Sequence, residues 1–335
     1  MPTPFHALHG DVHHCIVSAL AHFGPQTMGD LASHLGVEEQ TLEPLLAALA
    51  DRHWLERETS GLWQLRQTLH LLSPDAVASA LASSAPAALS VDVVLETGST
   101  NNDLLARARG GSIHGLVLLA EGQTGGRGRR GRVWVSPLAT NLYLSMGWNL
   151  APSASGPAGL SLAVGCALAR ALEPYAESPL QLKWPNDLYI AGKKLGGILI
   201  DIVGDPLGTC TAVIGFGLNV KMPGQEGEAI DQPWTDLNSH SREELDRNAL
   251  AVVCINAVVE ALTRFDEGGF AVFRSDWDRY DCLRGRPVEV TGSPAVRGMG
   301  AGVDAAGALQ VQTETGLVSV HGGEVSVRDR GQDSP

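Results

Sequence analysis

The chain has 335 residues, 44% of them hydrophobic and 18% charged, which is typical of a globular protein with room for two or three domains. Its formal net charge of -13 argues against general binding to nucleic acids or anionic membranes, because both reward clustered positive charge. The start of the chain lacks the features of a signal peptide, and no apolar run looks long enough to span a bilayer. We therefore expect a cytoplasmic protein without a membrane partner.

Potential metal ligands are few and scattered. The five cysteines stand far apart without a CxxC pair, which predicts neither a disulfide framework nor a zinc site. Four histidines gather near the start of the chain but have no cysteine or carboxylate at ligand spacing: His6, His9, His13 and His14. We expect the cysteines to be small buried residues, and we assign the histidines no metal.

The first 72 residues predict a winged helix-turn-helix domain. Apolar residues recur at helical spacing over 12–22, 28–36 and 41–53, and an alternating stretch with a Ser-Gly turn follows at 54–65. The helix-turn-helix spans about Met28 to Ala47, with its turn at 35–37. This region is the candidate DNA-binding element.

The charge of this front region does not favour DNA. Residues 1–75 contain three arginines, no lysine and nine acidic residues. The presumed recognition helix opens with Glu38 and Glu39 and contains Glu43 and Pro44, so its groove-facing start would be anionic and the proline would disturb or delay the helix. These features favour a stable helix that does not read DNA.

The rest of the chain predicts two further domains. Residues 73–90 are rich in Ala, Ser and Pro and are predicted to form a linker, with room for one short helix. Strand and helix patterns alternate from 91 to 280, which indicates a mixed-sheet α+β domain. Short strands between glycine turns from 281 to 330 predict a small β-barrel of the SH3-like kind. The predicted fold class is thus multidomain α+β.

The most unusual segment is GGRGRRGRVW, residues 125–134, which concentrates four arginines and four glycines in an acidic chain. Glycine disfavours helix by about 1 kcal/mol relative to alanine, so we expect a mobile cationic loop. One interpretation is a solvated loop or a nucleic-acid segment of the Arg-Gly type. The other is a lid over an anionic ligand, with Trp134 available for stacking on a base.

Two more segments could carry chemistry. The chain has four lysines against twenty arginines, and three of the four lie within KWPNDLYIAGKK, residues 183–194. Pro and Asn-Asp in this segment favour turns. A lysine at a turn is either a solvated surface charge or a compact point charge for a ligand. In ETGSTNND, residues 96–103, Ser99 or Thr100 is predicted to cap a helix beginning near Asn102, and such an N-terminus can also bind polar or anionic groups.

Taken in order, ETGSTN, EGQTGGRGRRGRVW, KWPNDL, GKKLGGIL and IGFGLNV closely resemble the motifs of the biotin protein ligases. The resemblance runs from about residue 90 to 328. The front domain is similar in layout to that of the bifunctional class, which combines the biotin operon repressor with biotin–[acetyl-CoA-carboxylase] ligase. The resemblance implies a central domain of the class II synthetase-like kind and ATP, biotin and Mg²⁺ as ligands. It also implies a biotin carboxyl carrier protein, a subunit of acetyl-CoA carboxylase, as partner.

The resemblance implies that the enzyme joins biotin to ATP as biotinyl-5′-AMP and then transfers the biotinyl group to a carrier lysine. It assigns catalysis to Lys194 and Arg129, and a weak role to Asp187 as a metal ligand through Mg²⁺. The implied biotin-binding residues are Ser99, Thr100, Asn101, Gln123, Arg127, Gly128, Arg129, Lys194 and Gly197. The implied nucleotide-binding residues are Arg129, Arg132, Trp134, Asn186, Lys194 and Asn219.

Three functions remain open at this point. The first is a ligase whose winged helix has lost or weakened DNA binding, and the second is a ligase that also represses the biotin operon when its adenylate is bound. The third is a lipoate or octanoyl transferase, or a sensor without catalysis, against which the Arg-Gly loop and Lys194 together argue. Bifunctional relatives commonly form homodimers through their sheets, but the sequence does not establish an oligomeric state.

Overall fold

The computed structural model describes residues 11–84, 88–152, 156–206, 208, 210–291, 295–321 and, for the backbone alone, 326–329. His6 and His9 lie outside the described residues. His13 pairs with Asp11 (Nδ1 to Oδ1, 3.2 Å) and His14 is buried. No group of three or more His, Cys, Asp or Glu residues in the described part of the chain could hold a metal ion, and all five cysteines are free.

The front unit consists of three helices and a small antiparallel hairpin. Its elements are α1 (Val12–Phe23), α2 (Met28–Leu35), α3 (Glu39–Asp51), β1 (Leu55–Arg57) and β2 (Trp63–Leu65). Thr27 and Asp30 form a capping box at the start of α2, and Gly36 ends that helix in the left-handed conformation. The predicted turn between the second and third helices is therefore present. Its assignment as a DNA-binding winged helix stays a prediction.

The expected effect of Pro44 on the third helix is wrong. Helix α3 begins at Glu39 and continues through Pro44 to Asp51. A proline at this position removes one intrahelical hydrogen bond. The buried face formed by Leu42, Leu46 and Leu49 holds the helix in place.

The segment predicted as a linker contains a packed helix, α4 (Pro74–Ser84). Helix α4 contacts α8 (Arg247–Gly268), and its Val77 and Leu81 are buried with Leu72 in the main core. The core of the central unit therefore extends back to Leu72, ahead of the predicted boundary at residue 91. Composition indicated a linker because only two of the helix's eleven residues are buried, and the remainder are small or polar.

The central unit is built on a seven-stranded mixed sheet in the order β3-β4-β5-β9-β8-β7-β6. Only the β3/β4 pair is parallel. The strands are β3 (Ser90–Thr97), β4 (Leu116–Gln123), β5 (Leu142–Leu150), β6 (Leu180–Lys183), β7 (Asp187–Ile190), β8 (Lys193–Gly204) and β9 (Cys210–Leu218). The mixed-sheet α+β prediction is confirmed. Strand β7 is short, and its four residues directly follow Pro185 and Asn186, residue types that favour turns.

Helices accompany the sheet, and the long ones complete its core. They are α5 (Thr100–Ala108), α6 (Leu160–Leu172), α7 (Gly224–Gly227), α8 and α9 (Arg274–Tyr280). By length and composition, the helical stretch Arg247–Tyr280 could cross a bilayer, contrary to our expectation that no apolar run is long enough. Its Cys254, Val258 and Leu262 are fully buried, and α8 packs on α6 and α4, as expected of a core helix.

The final unit is a five-stranded antiparallel sheet in the order β13-β12-β11-β10-β14. Its strands are β10 (Pro287–Thr291), β11 (Val296–Val303), β12 (Leu309–Thr313), β13 (Gly316–Val320) and β14 (Ser326–Asp329). Trp184 of the central unit donates from Nε1 to the carbonyl of Gly307 at 2.9 Å, which docks this sheet beside the β6–β7 turn. A small antiparallel unit is confirmed, whereas its closure into an SH3-like barrel stays a prediction.

We predict that Leu81→Ala lowers the free energy of unfolding by about 2–5 kcal/mol, because truncating a buried leucine leaves a cavity in the core. The exposed neighbour substitution Ala80→Ser should stay within about 0.5 kcal/mol of the parent chain. Urea denaturation of both variants measures the difference. Equal stability of the two would show that α4 is only a connecting segment.

Candidate active site

One large cavity opens beside the central sheet, with a volume of about 750 Å³. All fourteen residues that the sequence nominated line this cavity, although they come from five separate segments. They are Ser99, Thr100, Asn101, Gln123, Arg127, Gly128, Arg129, Arg132, Trp134, Asn186, Asp187, Lys194, Gly197 and Asn219. The structure thus brings the candidates together, while their individual roles stay predictions.

One wall is formed where α5 begins. Ser99 is the N-cap of α5 and makes no capping hydrogen bond through its side chain. The backbone N–H of Thr100 donates to Gln123 Oε1 at 3.0 Å, and Gln123 Nε2 donates to Ser136 Oγ at 3.1 Å. Gln123 therefore has a fixed amide orientation, with the helix start and the end of β4 held together.

Asn101 is fixed against the sheet beneath this wall. Its amide donates to the Leu199 carbonyl (3.1 Å) and to Asp201 Oδ2 (3.0 Å), and its Oδ1 accepts from Ser145 at 2.5 Å. A Cβ at Gly215 would lie 1.9 Å from Asn101 Oδ1, so only glycine allows this approach. These bonds consume the polar groups of Asn101, which favours an organising role over direct recognition.

The Arg-Gly segment forms a compact hairpin against the cavity. Gly128 N–H donates to the Arg132 carbonyl (2.7 Å) and Trp134 N–H donates to the Gly126 carbonyl (2.8 Å), around a 3₁₀ turn at Arg129–Gly131. Arg127 reaches back to Asp201, with Nη2 2.6 Å from Oδ2. The described conformation is therefore a hairpin with defined pairing, which the sequence had predicted only as a mobile loop.

Trp134 at the end of this hairpin packs against two neighbouring strands. Gly197 of β8 and Gly217 of β9 are directly paired, and a Cβ on them would lie 3.3 Å and 2.4 Å from the indole ring. The Trp134 Nε1 donor is buried and has no hydrogen-bond partner in the structure. Part of the Trp134 ring therefore lines the cavity, while its unused donor faces Gly217 of β9.

Lys194 is held at the centre of the cavity by an acidic neighbour. Its Nζ lies 2.8 Å from Asp187 Oδ1 and 5.5 Å from the centroid of the Trp134 ring, and its side chain is 14% exposed. Backbone bonds with Pro233 and Thr235 fix the main chain at this residue. The ammonium group is therefore positioned and shielded, unlike that of an ordinary surface lysine.

Two asparagines complete the opposite wall. Asn186 Nδ2 donates to the Ile198 carbonyl at 2.8 Å, and Asn219 Nδ2 donates to the Thr235 carbonyl at 3.0 Å. Asn219 is 2% exposed, and its Oδ1 acceptor has no partner in the structure. A buried unpaired acceptor costs about 1–3 kcal/mol, so a ligand donor at this point is physically favoured.

The cavity is strongly cationic for so acidic a protein. Six cations and two carboxylates line it: Arg127, Arg129, Arg130, Arg132, Lys183 and Lys194 against Asp187 and Asp231. Burial lowers the pKa of Arg129, and the charge of Arg130 lowers it further, while Asp187 opposes both. Burial also raises the pKa of the cavity residue Tyr189. The cavity is suited to a ligand with several negative charges.

Sequence reasoning missed several residues that shape this site. They are Ser145, Asp201, Gly215, Gly217 and Trp234. The glycines carried a usable signal, because residues 215 and 217 share one face of a strand and can admit two bulky groups. Nothing in the local pattern marked Asp201, which becomes a partner of Arg127 only when β8 lies beneath the hairpin.

Comparison with known proteins identifies the families that this chain resembles. The model of the Biotin/lipoate A/B protein ligase family matches residues 99–219, and the model of the Biotin protein ligase C terminal domain matches 284–328. The bifunctional ligase/repressor BirA of Escherichia coli K12 is 38% identical over 240 residues, or 71% of this chain and 74% of that protein.

Other relatives agree in both sequence and fold. A biotin–[acetyl-CoA-carboxylase] ligase of Mycobacterium tuberculosis is 42% identical over 166 residues, covering 48% of this chain and 59% of that protein. The biotin protein ligase of Aquifex aeolicus in complex with biotin and ATP superposes with a TM-score of 0.61 at 28% identity, covering 71% of this chain and 98% of that one. This chain belongs to the biotin protein ligase family.

Proposed function

We propose that the protein activates biotin with ATP to form biotinyl-5′-AMP and transfers the biotinyl group to a lysine of a biotin carboxyl carrier protein. The observation that carries this proposal is the placement of Lys194 among the arginines of one cavity, between the Gln123 wall and the Asn219 wall. The cavity volume of about 750 Å³ lies within the common range of ligand sites, about 300–1,000 Å³.

In the first step, a biotin carboxylate oxygen attacks the α-phosphorus of ATP and pyrophosphate leaves. Both reactants are anions, so cations must offset their repulsion and stabilise the charge of the transition state. Lys194 is the group we assign between carboxylate and α-phosphate, and Arg129 and Arg132 are assigned to the phosphates. The Asp187 contact holds the lysine in place until the ligands bind.

We assign biotin to the wall that carries the hydroxyls and amides of the α5 start, hereafter the biotin wall. Ser99, Thr100 and Gln123 supply polar groups, and Asn101 organises the floor through its bonds to β8. Arg127, Gly128 and Arg129 of the hairpin would lie over the ligand, and Gly197 leaves room for it. Lipoate is the competing ligand, since the matching family includes lipoate ligases.

We assign the nucleotide to the opposite wall, hereafter the nucleotide wall. Trp134 offers a ring face, and Asn219 offers an unused acceptor that an exocyclic amine could satisfy. Asn186 lies next to Arg129, with Oδ1 3.5 Å from Nη1. Together these groups provide stacking and hydrogen bonds of the kind that a purine requires.

Magnesium fits this donor set when the phosphates are present. Mg²⁺ is usually held by one or two carboxylates together with substrate phosphates and water, and Asp187 supplies one carboxylate in the cavity. The ion would neutralise phosphate charge. Its ligand, Asp187, would then exchange the Lys194 ammonium for the metal.

In the second step, the amine of a carrier lysine attacks the acyl carbon of the mixed anhydride and AMP leaves. Water would hydrolyse this intermediate, so the Arg-Gly hairpin is assigned the role of covering it until the carrier docks. The carrier as partner, a cytoplasmic location and pairing of two copies through their sheets are part of this proposal. The terminal sheet, docked through Trp184 and Gly307, is placed to help with ATP or carrier binding.

We predict that Lys194→Gln lowers the rate of adenylate formation roughly 100-fold or more, because it removes the charge that stabilises the transition state. Biotin-dependent pyrophosphate release measures this rate. The exposed neighbour variant Lys193→Gln is the matched control and should retain parent activity. Unchanged pyrophosphate release by Lys194→Gln would contradict the mechanism, and activity with lipoate in place of biotin would redirect the substrate assignment.

We predict that Gly217→Ala raises the KM for ATP about tenfold or more, because overpacking costs about 1–3 kcal/mol and displaces the Trp134 ring. The KM for biotin should change much less, since Gln123 and Asn101 remain in place. Gly224→Ala is the control, because a Cβ at Gly224 meets nothing within 4 Å. An equal rise in both constants would show that the indole does not mark the nucleotide side.

Repression of the biotin genes is the second candidate function, favoured by the helices and hairpin of the front unit and by the bifunctional relatives. The electrostatics of this front unit argue against strong binding to DNA. Glu38, Glu39 and Glu43 are exposed at the start of α3, where base contacts are expected.

We therefore predict no sequence-specific complex in the nanomolar range between the protein and promoter DNA of the biotin genes at physiological salt. Fluorescence anisotropy with biotin and ATP present, at several salt concentrations, measures the affinity. Replacing Glu38, Glu39 and Glu43 with glutamine should strengthen non-specific binding, because it removes repulsion of phosphates. A specific nanomolar complex, typical of real operators, would establish the bifunctional reading.

A further inference from the structure

A buried ion pair lies behind the cavity and belongs to neither of its walls. Arg247, the first residue of α8, donates from Nη2 to Glu121 Oε2 of β4 at 2.7 Å. Glu121 is fully buried and Arg247 is 7% exposed. The mechanism proposed above uses neither residue.

One arm of the pair leads to the biotin wall. Glu121 stands two residues before Gln123, and its backbone carbonyl accepts from Ala139 N–H at 2.9 Å. Gln123 N–H donates to the Ser136 carbonyl next along the same segment. The position of Glu121 therefore sets the position of the end of β4, which carries Gln123.

The other arm leads to the nucleotide wall. Arg247 Nη1 donates to the carbonyl of Asn141 at 3.0 Å, and Asn141 Oδ1 accepts from the N–H of Val220 at 2.8 Å. Val220 directly follows Asn219. A single guanidinium thus connects, through two short chains of hydrogen bonds, the strand ends that carry Gln123 and Asn219.

The front of the chain closes this buried pair. Leu72 N–H donates to Glu121 Oε1, and His14 Nε2 of α1 lies 3.8 Å from the same oxygen. Burial raises the pKa of Glu121, but the Arg247 charge, His14 and the Leu72 N–H outweigh it and hold the pKa below its usual range. Glu121 is therefore a carboxylate, and Arg247 has a charged partner.

Stability alone does not explain such a pair. Desolvating two charges is costly, and apolar residues of the same volume often serve a core equally well or better. The planar guanidinium, in contrast, fixes the directions of several hydrogen bonds at once. An apolar pair could fill the same space but could not join β4 to the Asn141 carbonyl through directed hydrogen bonds.

We propose that Glu121 and Arg247 are positioning residues that hold the biotin wall and the nucleotide wall of the cavity at a fixed separation. This inference rests on the proposed function for its ligands, but its geometry does not depend on them. Loss of the pair should weaken both ligands together while the chemical step, carried out by Lys194, is affected less.

The test compares the full-length protein with Glu121→Gln, which keeps the shape of the side chain and removes its charge. We expect the KM values for biotin and ATP both to rise, roughly 2- to 30-fold, the usual range for residues that act through others. We expect kcat to change less than either KM. Arg247→Lys, which keeps the charge but cannot reach both Glu121 and the Asn141 carbonyl, should raise the KM for ATP more than that for biotin.

Two controls separate positioning from general destabilisation. Val258→Ala truncates a fully buried residue of the same helix and should lower the melting temperature without raising either KM. The double variant Glu121→Leu with Arg247→Met should regain much of the melting temperature lost in Glu121→Gln while both KM values stay high. Parent KM values in the double variant, or raised ones in Val258→Ala, would overturn the inference.

Hydrogen exchange provides a readout that needs no ligand. In Glu121→Gln the amides of Gln123, Asn219 and Val220 should exchange faster than in the parent chain, whereas in Val258→Ala they should not. Unchanged exchange at these amides overturns the inference even when the parent protein binds biotin and ATP. Failure of the parent protein to bind either ligand overturns the proposed function instead. If Glu121→Gln does not fold, the exchange measurement is made on Arg247→Lys.

Discussion

The site depends on the absence of side chains on two neighbouring strands. Gly197 and Gly217 are paired in adjacent strands and leave a flat backbone surface on which the Trp134 indole lies, and Gly215 admits Asn101 in the same way. A single Cβ at either of the β9 glycines would lie less than 2.5 Å from one of these groups. Because these groups lie on the sheet, the Arg-Gly hairpin and the start of α5 border one cavity.

Charge is distributed unevenly over the molecule. The chain has a net charge of -13, yet its cavity gathers six cations beside two carboxylates. Asp187 and Asp201 restrain two of these cations before a ligand binds. Restraint by these carboxylates keeps the cations oriented, so that less reorganisation is needed when an anionic ligand replaces the contact. An acidic exterior and a cationic cavity together favour a small anionic ligand over nucleic acid.

The front of the chain is packed into the ligase unit more closely than its composition indicates. Leu72, Val77 and Leu81 belong to the main core, and Leu95 of β3 belongs to the core of the front helices. His14 of α1 lies beside the buried Glu121, and Arg52, which directly follows α3, pairs with Glu96. These contacts give the front unit a structural connection to the strand that ends at the cavity, whether or not the unit binds DNA.

The sequence by itself predicted the mixed sheet, the small terminal β unit and fourteen of the residues that line the site. It could do so because periodicity is local and because the glycine, arginine and lysine motifs keep their residue types together. Only the tertiary structure decided that α4 is part of the core, that the hairpin is closed by defined pairs, and that Asp187 lies beside Lys194. The partnership of Glu121 with Arg247 is a further case, because it joins residues 126 positions apart in the chain. Such contacts depend on how strands and helices meet in space, and no local pattern of residues records that arrangement.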